Sequence, residues 1–373
     1  MWSIGLSISR RGVLGLIGGG TIIAAGAGAG GFALTRTPEK ALAPWSAAGG
    51  YSDPRKRALS YAILAPNPHN RQPWLVDLSE KDTVVLYRDK ERDLPHTDPD
   101  ARQLTIGLGC FLELMEIAAG ETAHAVDLDL FPQGEDGPVA VARFRDGGQR
   151  DALFQQVMSR RTCKGPFDPR PLPVSAVQEL SAFSHVITDP ARVKELRALT
   201  WDAWKTEVYT HRTMKESVDL MRFGKSEINA NPDGIDLGGP FLEALMLFGV
   251  LSREAQLDEN SSGFKEGVRI YHEMLMATPA YAILTTPGNS RADQIAAGRR
   301  WLRLNLTTTA LGLALHPVSQ ALQEFPEMAP HFKKAHRMLA KSGHTVQMLG
   351  RLGYGPQVAR SPRWPLETRI RNG

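Results

Sequence analysis

Cysteine is almost missing from this chain: Cys110 and Cys163 are the two among 373 residues. A pair cannot build a disulfide framework, and no CxxC or Cys/His ligand spacing accompanies it. The one zincin-like start, His272-Glu273, has Met276 where the second histidine would stand, so metal catalysis finds no support. No block of lysine and arginine with interleaved aromatics occurs either. The sequence pI of about 9.0 comes from the N-terminus, where Arg10, Arg11, Arg36 and Lys40 against Glu39 alone account for +3 of the net +4. The remainder is near neutral, which argues against nucleic acid as a partner. What is left is ordinary: 42% hydrophobic and 23% charged residues, enough for a sizeable core in one large domain or two smaller ones.

The first forty residues read as an address. Ser9-Arg10-Arg11-Gly12-Val13-Leu14 precedes an uncharged run to Thr35 that holds nine glycines. An arginine pair before a glycine-diluted apolar segment looks like a twin-arginine (Tat) export signal, with Val13 where an aromatic usually stands. Gly26, Gly28 and Gly31 also spell GxGxxG, but such a fingerprint must open a helix, and Pro38 and Pro44 follow without helical periodicity. The signal reading implies the Tat export machinery as a partner and a periplasmic location, membrane-anchored if the signal is retained. Ala41-Leu42-Ala43 and Ser46-Ala47-Ala48 are two cleavage options, the first hindered by Pro44. Because Tat exports folded proteins, a non-covalent cofactor bound beforehand can travel with the chain.

Further on, Asp53–Ala65 reads as a helix stopped by Pro66. Residues 76–78 and Thr83–Tyr87 alternate as short strands around a polar turn. Asp98-Pro99 supplies an N-cap and a first-turn proline for a helix through Leu104, Leu108, Met115 and Ala118, closed by Gly120. Residues 126–130 and Val139–Phe144 are strands, and Arg150–Ser159 is helical. Four prolines make Arg161–Pro173 a loop. Val174–Phe183 and Ala191–Lys215 are helices, and residues 224–240 form a long irregular stretch of the kind that serves as a lid. Ala280–Thr286 is a buried strand and Arg299–Leu315 a long apolar helix. Leu112, Leu114, Ala118 and Gly120 echo Leu304, Leu306, Ala310 and Gly312 at constant offset. The echo suggests a duplicated unit of helix, strand pair, helix and strand.

Three polar clusters carry the chemistry. In Ala65-Pro66-Asn67-Pro68-His69-Asn70-Arg71-Gln72-Pro73-Trp74, prolines stiffen a loop bearing Asn67, His69, Asn70 and Gln72. Amides offer both donors and acceptors, so the loop either caps nearby backbone or reads the edge of a planar polar ligand. In Ser159–Phe167, Arg160, Arg161, Thr162 and Lys164 suit a phosphate, or are a solvated basic helix end favoured by the macrodipole. The C-terminal run from Gly353 to Glu367 adds Arg360 and Arg363, on its own a basic tail.

Together these clusters resemble the nitroreductase family. The opening loop is similar to its Pro-Ser-Ser-x-Asn-x-Gln-Pro-Trp loop, with Asn67 and Pro68 in place of the serines. Arg160–Phe167 resembles its Arg-Arg-Ser-x-Arg-x-Phe start, moved to mid-chain. Thr309–Ala314 and Gly353–Glu367 are similar to its closing helix and tail. A loop-bearing half before an arginine-bearing half resembles the Acg-type nitroreductase-like flavoproteins, in which two units are fused. The Asp98-Pro99-Asp100-x-Arg102 helix start and the turn Pro317-Val318-Ser319-Gln320 look like that group too. The resemblance implies an α+β, nitroreductase-like fold of two fused helix/antiparallel-sheet units, an intramolecular pseudo-dimer. Its parts would be residues 1–48 (signal and linker), 49–148 (first half) and 149–373 (second half with tail), acting as a monomer.

The resemblance further implies one FMN per chain. Arg160 and Arg161, with Arg360 or Arg363, would hold the phosphate, and Thr162 and Lys164 would face the pyrimidine. Asn67, His69, Asn70 and Gln72 would come from the other half, and Pro317, Val318, Ser319 and Gln320 would approach the reactive N5 edge. The activity implied is ping-pong hydride transfer from NAD(P)H or another small donor to quinone or nitroaromatic acceptors. No nucleophile or general base is required, which agrees with the lack of a recognisable triad. The alternative is an exported flavin-binding protein for storage or sensing, its site occluded by residues 224–240.

Overall fold

The computed structural model describes residues 35–247 and 249–371, so the expected arginine-pair signal lies outside the described residues. Helix α1 (Glu39–Ala47) occupies part of the expected linker and contains Pro44. An interior proline costs about 3 kcal/mol, and tertiary contacts offset it here. Ala41 and Trp45 are buried. The Ala41 N–H donates to Asn229 Oδ1 at 3.1 Å, and the Trp45 indole N–H donates to the Ser361 carbonyl at 2.8 Å.

Helix α2 (Pro54–Ala62) is capped by Asp53, whose Oδ1 accepts from the Arg55 N–H at 2.8 Å. Strands β1 (Trp74–Asp77) and β2 (Thr83–Arg88) pair antiparallel, Trp74 opposite Arg88. Helix α3 (Arg102–Gly120) starts later than Asp98-Pro99 suggests. Ala101 takes a left-handed φ of 50° at the boundary, and Asp98 caps from outside, accepting from the Gln103 and Leu104 N–H groups at 3.0 and 2.9 Å. By length and composition α3 could cross a membrane, but it is a buried core helix. Strands β3 (His124–Leu130) and β4 (Ala140–Asp146) complete the first sheet. Between residues 150 and 159 only a 3₁₀ turn forms, Ala152–Gln156, because Asp151 caps its start and the chain must then enter the arginine loop extended.

The second half opens with α4 (Val174–Leu180) and β5 (His185–Ile187). An insertion follows. The helix expected over 191–215 breaks at Thr210, in extended conformation, into α5 (Pro190–Tyr209) and α6 (His211–Asp219). The stretch expected to be irregular is ordered: β6 (Met221–Phe223), α7 (Gly224–Ala230) and β7 (Ile235–Leu237), with β6 and β7 parallel. Buried Asp233 fixes the turn before β7 by ion pairs to Arg71, Arg92 and Arg222 at 2.8 to 3.0 Å. Helices α8 (Pro240–Leu247), α9 (Arg253–Leu257) and α10 (Ser262–Met276) finish the insertion.

Strand β8 (Ala280–Thr286) leads to α11 (Arg291–Ala310). A Ser290–Asp293 capping box starts α11 well before Arg299, and Gly312, at φ +67°, turns the chain out of it before residue 315. Strand β9 (Ala314–Pro317), helix α12 (Ala329–Leu339) and strand β10 (Thr345–Gly353) complete the half.

The two sheets run β1-β2-β4-β3 and β5-β8-β10-β9. Replacing β1, β2, β3 and β4 by β5, β8, β9 and β10 converts one order into the other, with α3 and α11 in the same slot. The fold is therefore α+β, two helix/antiparallel-sheet units joined through their central helices. Arg299 and Arg303 of α11 both donate to Glu113, which α3 buries between the halves.

Candidate functional site

A cavity of about 750 Å³ lies where the halves meet the insertion. Its floor is the loop after α2, the α3 face around Ile106 and Gly107, and Trp301 of α11. Its roof is β7, α8 and α10. Gly107 keeps the floor close to the loop, since a Cβ there would stand 3.1 Å from Asn67 Cβ and 3.2 Å from Pro68 Cδ.

The loop is strained at three residues, two of which, His69 and Asn70, face the cavity. His69, Asn70 and Gln72 have φ of 47°, 51° and 52°, left-handed values that non-glycine residues adopt at a cost of about 1–3 kcal/mol each. Hydrogen bonds hold them there. Asn67 Oδ1 accepts from the Gln72 N–H at 2.7 Å, and Asn67 Nδ2 donates to the Ala65 carbonyl. Gln72 lies under the loop rather than on the cavity wall: its Nε2 donates to the Pro232 carbonyl at 2.6 Å and its Oε1 accepts from the Trp364 N–H at 2.8 Å. Asn70 Oδ1 accepts from Arg363 Nη1 at 2.7 Å. The backbone-capping reading of the loop holds for Asn67 and Gln72. Asn67 and Gln72 brace backbone, while Asn67, His69 and Asn70 also line the cavity. Desolvation, with Lys164 and Arg71 nearby, pushes the His69 imidazole down to about 4, so it is neutral at pH 7.

The arginines converge from distant parts of the chain. Arg160 is buried and donates to Asn305 Oδ1 at 3.0 Å and to the Leu64 carbonyl at 3.1 Å. Buried Arg363 donates to the Leu64 and Ala65 carbonyls, both at 3.1 Å. Arg161 lies over the Trp45 ring at 5.0 Å, joined there by Arg360 and Arg363 at 5.3 and 5.9 Å. Among the described residues, none of the four pairs with a carboxylate within salt-bridge distance. Burial and mutual repulsion hold Arg160 down at about 10 and Arg363 at about 9. Arg161 Nε and Arg363 Nε are buried with no hydrogen-bond partner among the described residues. Cations gathered in this way call for an anion.

Arg160, Arg161, Thr162, Lys164 and Arg363 all line the cavity; Arg360 packs over Trp45 and is not on the wall, where Ala359 and Ser361 stand. Lys164 faces Asp236, which burial raises and Lys164 lowers. Pro317, Ser319 and Gln320 line the opposite side, whereas Val318 turns into the core of the second half. Sequence reasoning missed His316, Asp236, Glu207, Trp204 and Tyr271, which also line the cavity. His316 sits one residue before the turn that was singled out. The others belong to the insertion, where no motif marks them.

No family model matches the chain. It is 25% identical over 341 residues to an uncharacterized protein of Mycobacterium tuberculosis strain H37Rv, covering 84% of this chain and 91% of that one. Two further proteins of that organism, both provisionally named NAD(P)H nitroreductases, are also similar. One is 23% identical over 314 residues (81% of this chain, 85% of the relative), the other 31% over 127 residues (32% and 38%). Among solved structures, the FMN-dependent nitroreductase NfnB from Mycobacterium smegmatis, in complex with NADPH, aligns at TM-score 0.38 and 18% identity, over 59% of this chain and 96% of that chain.

Proposed function

We propose that the protein is an FMN-dependent oxidoreductase that takes electrons from a small donor, NAD(P)H or another, and reduces quinone- or nitroaromatic-type acceptors in alternation at one site. The observation that carries this reading is the cluster of buried Arg160 and Arg363 with half-buried Arg161, without carboxylate partners among the described residues, on the wall of a cavity that also presents the strained Asn67–Asn70 loop. Relatives provisionally named NAD(P)H nitroreductases support the same activity.

FMN supplies the hydride-transferring centre, N5, and the chain supplies position and charge. Arg160, Arg161 and Arg363 hold the phosphate, where the partnerless Arg161 Nε and Arg363 Nε find an acceptor. Arg360, over the Trp45 ring beside Arg161, adds positive charge from outside the wall. Lys164 and Thr162 face the pyrimidine edge, the lysine balancing negative charge there. Asn67, His69 and Asn70 contribute donors and acceptors from the first half. Pro317, Ser319 and Gln320 form the side that the donor and acceptor approach. Gln72 and Val318 act at one remove, bracing the loop and the turn.

A second reading has its own observation. Gly234 to Leu237, with Phe241, Leu242 and Leu245, roof the cavity, and a roof that stays shut would make this a flavin-binding protein for storage or sensing. Export by the Tat route to the periplasm, through Arg10-Arg11, belongs to either reading. Because α1 packs Trp45 against the arginines, removal of the signal at residue 43 or 48 would cut into the fold. We therefore place any cleavage before Glu39, or retain the signal as an anchor. The fused halves act as a monomer.

The test is the visible spectrum of the purified full-length protein before and after anaerobic NADPH. Flavin bands that bleach support the reductase. Bands that persist until dithionite is added favour the closed flavin-binding protein. A colourless protein that cannot be loaded with FMN sinks the cofactor.

A further inference from the structure

Three acids line the roof side of the cavity; Asp236 faces Lys164 and Glu266 pairs with Arg269, which leaves Glu207 as the one without a cation beside it among the described residues. Glu207 lies near the end of α5 and is 7% exposed. Its Oε2 accepts from Gln323 Nε2 at 3.2 Å, and the Gln320 amide is a second hydrogen-bond partner. Both glutamines belong to the turn after β9 that faces the proposed cofactor. Thr213 Oγ1 donates to the Glu207 backbone carbonyl, which ties α6 to the end of α5 across their break.

No cation pairs with this carboxyl among the described residues. The charged and titratable groups around it can be named. From α6 comes Glu216, whose own carboxylate is tied to His96 N and Thr97 N. Arg212 of α6 pairs with Glu327 at the surface. From α10 comes the Tyr271 hydroxyl, pushed up to about 12 by burial and by Glu207 itself. His272 packs against Trp201, and His331 of α12 bonds Thr206, both away from the cavity. Across the cavity, Lys164, lowered by burial, faces Asp236, and His316 is held neutral by burial and by Arg351. Desolvation, opposed by the two glutamines and assisted by Glu216, raises Glu207 to about 7.

Around the acid the roof is apolar and aromatic. Trp204 stacks on Tyr271 with centroids 4.6 Å apart, and Phe241, Leu245, Phe264 and Val268 continue the wall. Such a compartment suits a ligand with an apolar ring and an oxygen at its edge. A bare carboxylate would repel that oxygen; a carboxylic acid donates to it.

We infer that Glu207 is the acid that hydrogen-bonds to a carbonyl oxygen of a quinone-type acceptor and gives it the proton that completes its reduction to the hydroquinone. This rests on the reductase reading. That activity supplies the hydride with its electron pair. The carboxyl O–H bond breaks as the O–H bond of the hydroquinone forms, and the carboxylate recovers its proton from water. Glu207 is thereby a catalytic residue, and Gln320 and Gln323 position it.

The test uses full-length protein and a readout that needs no turnover: quenching of tryptophan fluorescence by 2-methyl-1,4-naphthoquinone between pH 5 and 9. The native protein is expected to lose roughly tenfold in affinity as pH rises through about 7, the worth of one hydrogen bond. Glu207→Gln, which keeps shape and a donor, is expected to bind at all pH values with no such step. Infrared difference spectra should show a protonated-carboxyl band near neutral pH that Glu207→Gln removes. In turnover the same variant should lower kcat by roughly a hundredfold or more, with KM for the donor unchanged. Equal, pH-independent affinity in native and variant protein would overturn the inference, as would carboxyl bands of native and variant protein that superimpose. A protein that binds no FMN yet keeps the pH step would discard the reductase while leaving Glu207 as the donor to the bound ring.

Discussion

Gly109 and Gly298 meet back to back where α3 crosses α11. A Cβ on Gly109 would stand 2.3 Å from the Ile295 carbonyl oxygen, and one on Gly298 would stand 1.9 Å from that of Ile106. The reciprocity of the two contacts, glycine to glycine and isoleucine to isoleucine, marks an approximate two-fold relation between the halves.

Gly298→Ala must therefore push the two helices apart, and backbone cannot move aside as a side-chain tip can. The expected loss is about 2–3 kcal/mol, read as a lower urea midpoint. Unchanged stability would mean that the central helices are not in van der Waals contact at this crossing.

The arginine cluster predicts how the phosphate is held. Arg161→Gln removes a charge from the wall without touching the Leu64 carbonyl that Arg160 and Arg363 share. FMN affinity should fall roughly tenfold to a hundredfold, since a hydrogen bond to a charged group is worth about 1.5–3 kcal/mol. Titration of flavin fluorescence against flavin-free protein measures it. No change at low salt would remove Arg161 from the phosphate site.

Trp45 predicts where the folded unit begins. Its ring is buried under three guanidinium groups and its N–H is bound to Ser361. Trp45→Ala should cost about 3–5 kcal/mol. A chain starting at residue 49 should melt well below one starting at residue 35, with its C-terminal tail open to protease. Equal melting temperatures would show α1 to be dispensable.

Neutral His69 sets a pH dependence. Its folded value lies near 4, below the ordinary 6.5, so the unfolded chain binds the proton more readily. Stability contributed by the neutral ring is complete above about 6.5 and is lost as pH falls from there toward 4, by about 1–3 kcal/mol. His69→Asn should flatten denaturation midpoints across that window. A native protein equally stable at pH 7 and pH 4.5 would contradict the assignment.

Much of this architecture was legible in the chain. Strong local signals survived: the hairpin strands, the apolar periodicity of α3, and the breakers that make Tyr61–Leu64 the end of a helix and Tyr281–Leu284 a strand from the same four letters. The echo between the central helices was real, but the crossing glycines set a register roughly one helical turn away from the one paired by leucines. Repeated leucines report which face is apolar, not where two backbones touch. Residues 224–240 read as irregular because their order comes from Asp233 reaching arginines far off in sequence. Glu207 had no signal, since a carboxyl on an amphipathic helix looks the same whether it faces water or a cavity.

The insertion between β5 and β8 fills the slot that a short turn, Leu78–Asp82, fills between β1 and β2. Its own strands, β6 and β7, pair with each other and with neither large sheet. One copy of the repeat thus remained a plinth while the other grew a canopy, and the chain has a front and a back that two identical subunits could not have. On the proposed function, substitutions in Phe241, Leu245 or Val268 would retune what the canopy admits without touching the arginines on the other wall, so that selection could act on acceptor and cofactor separately.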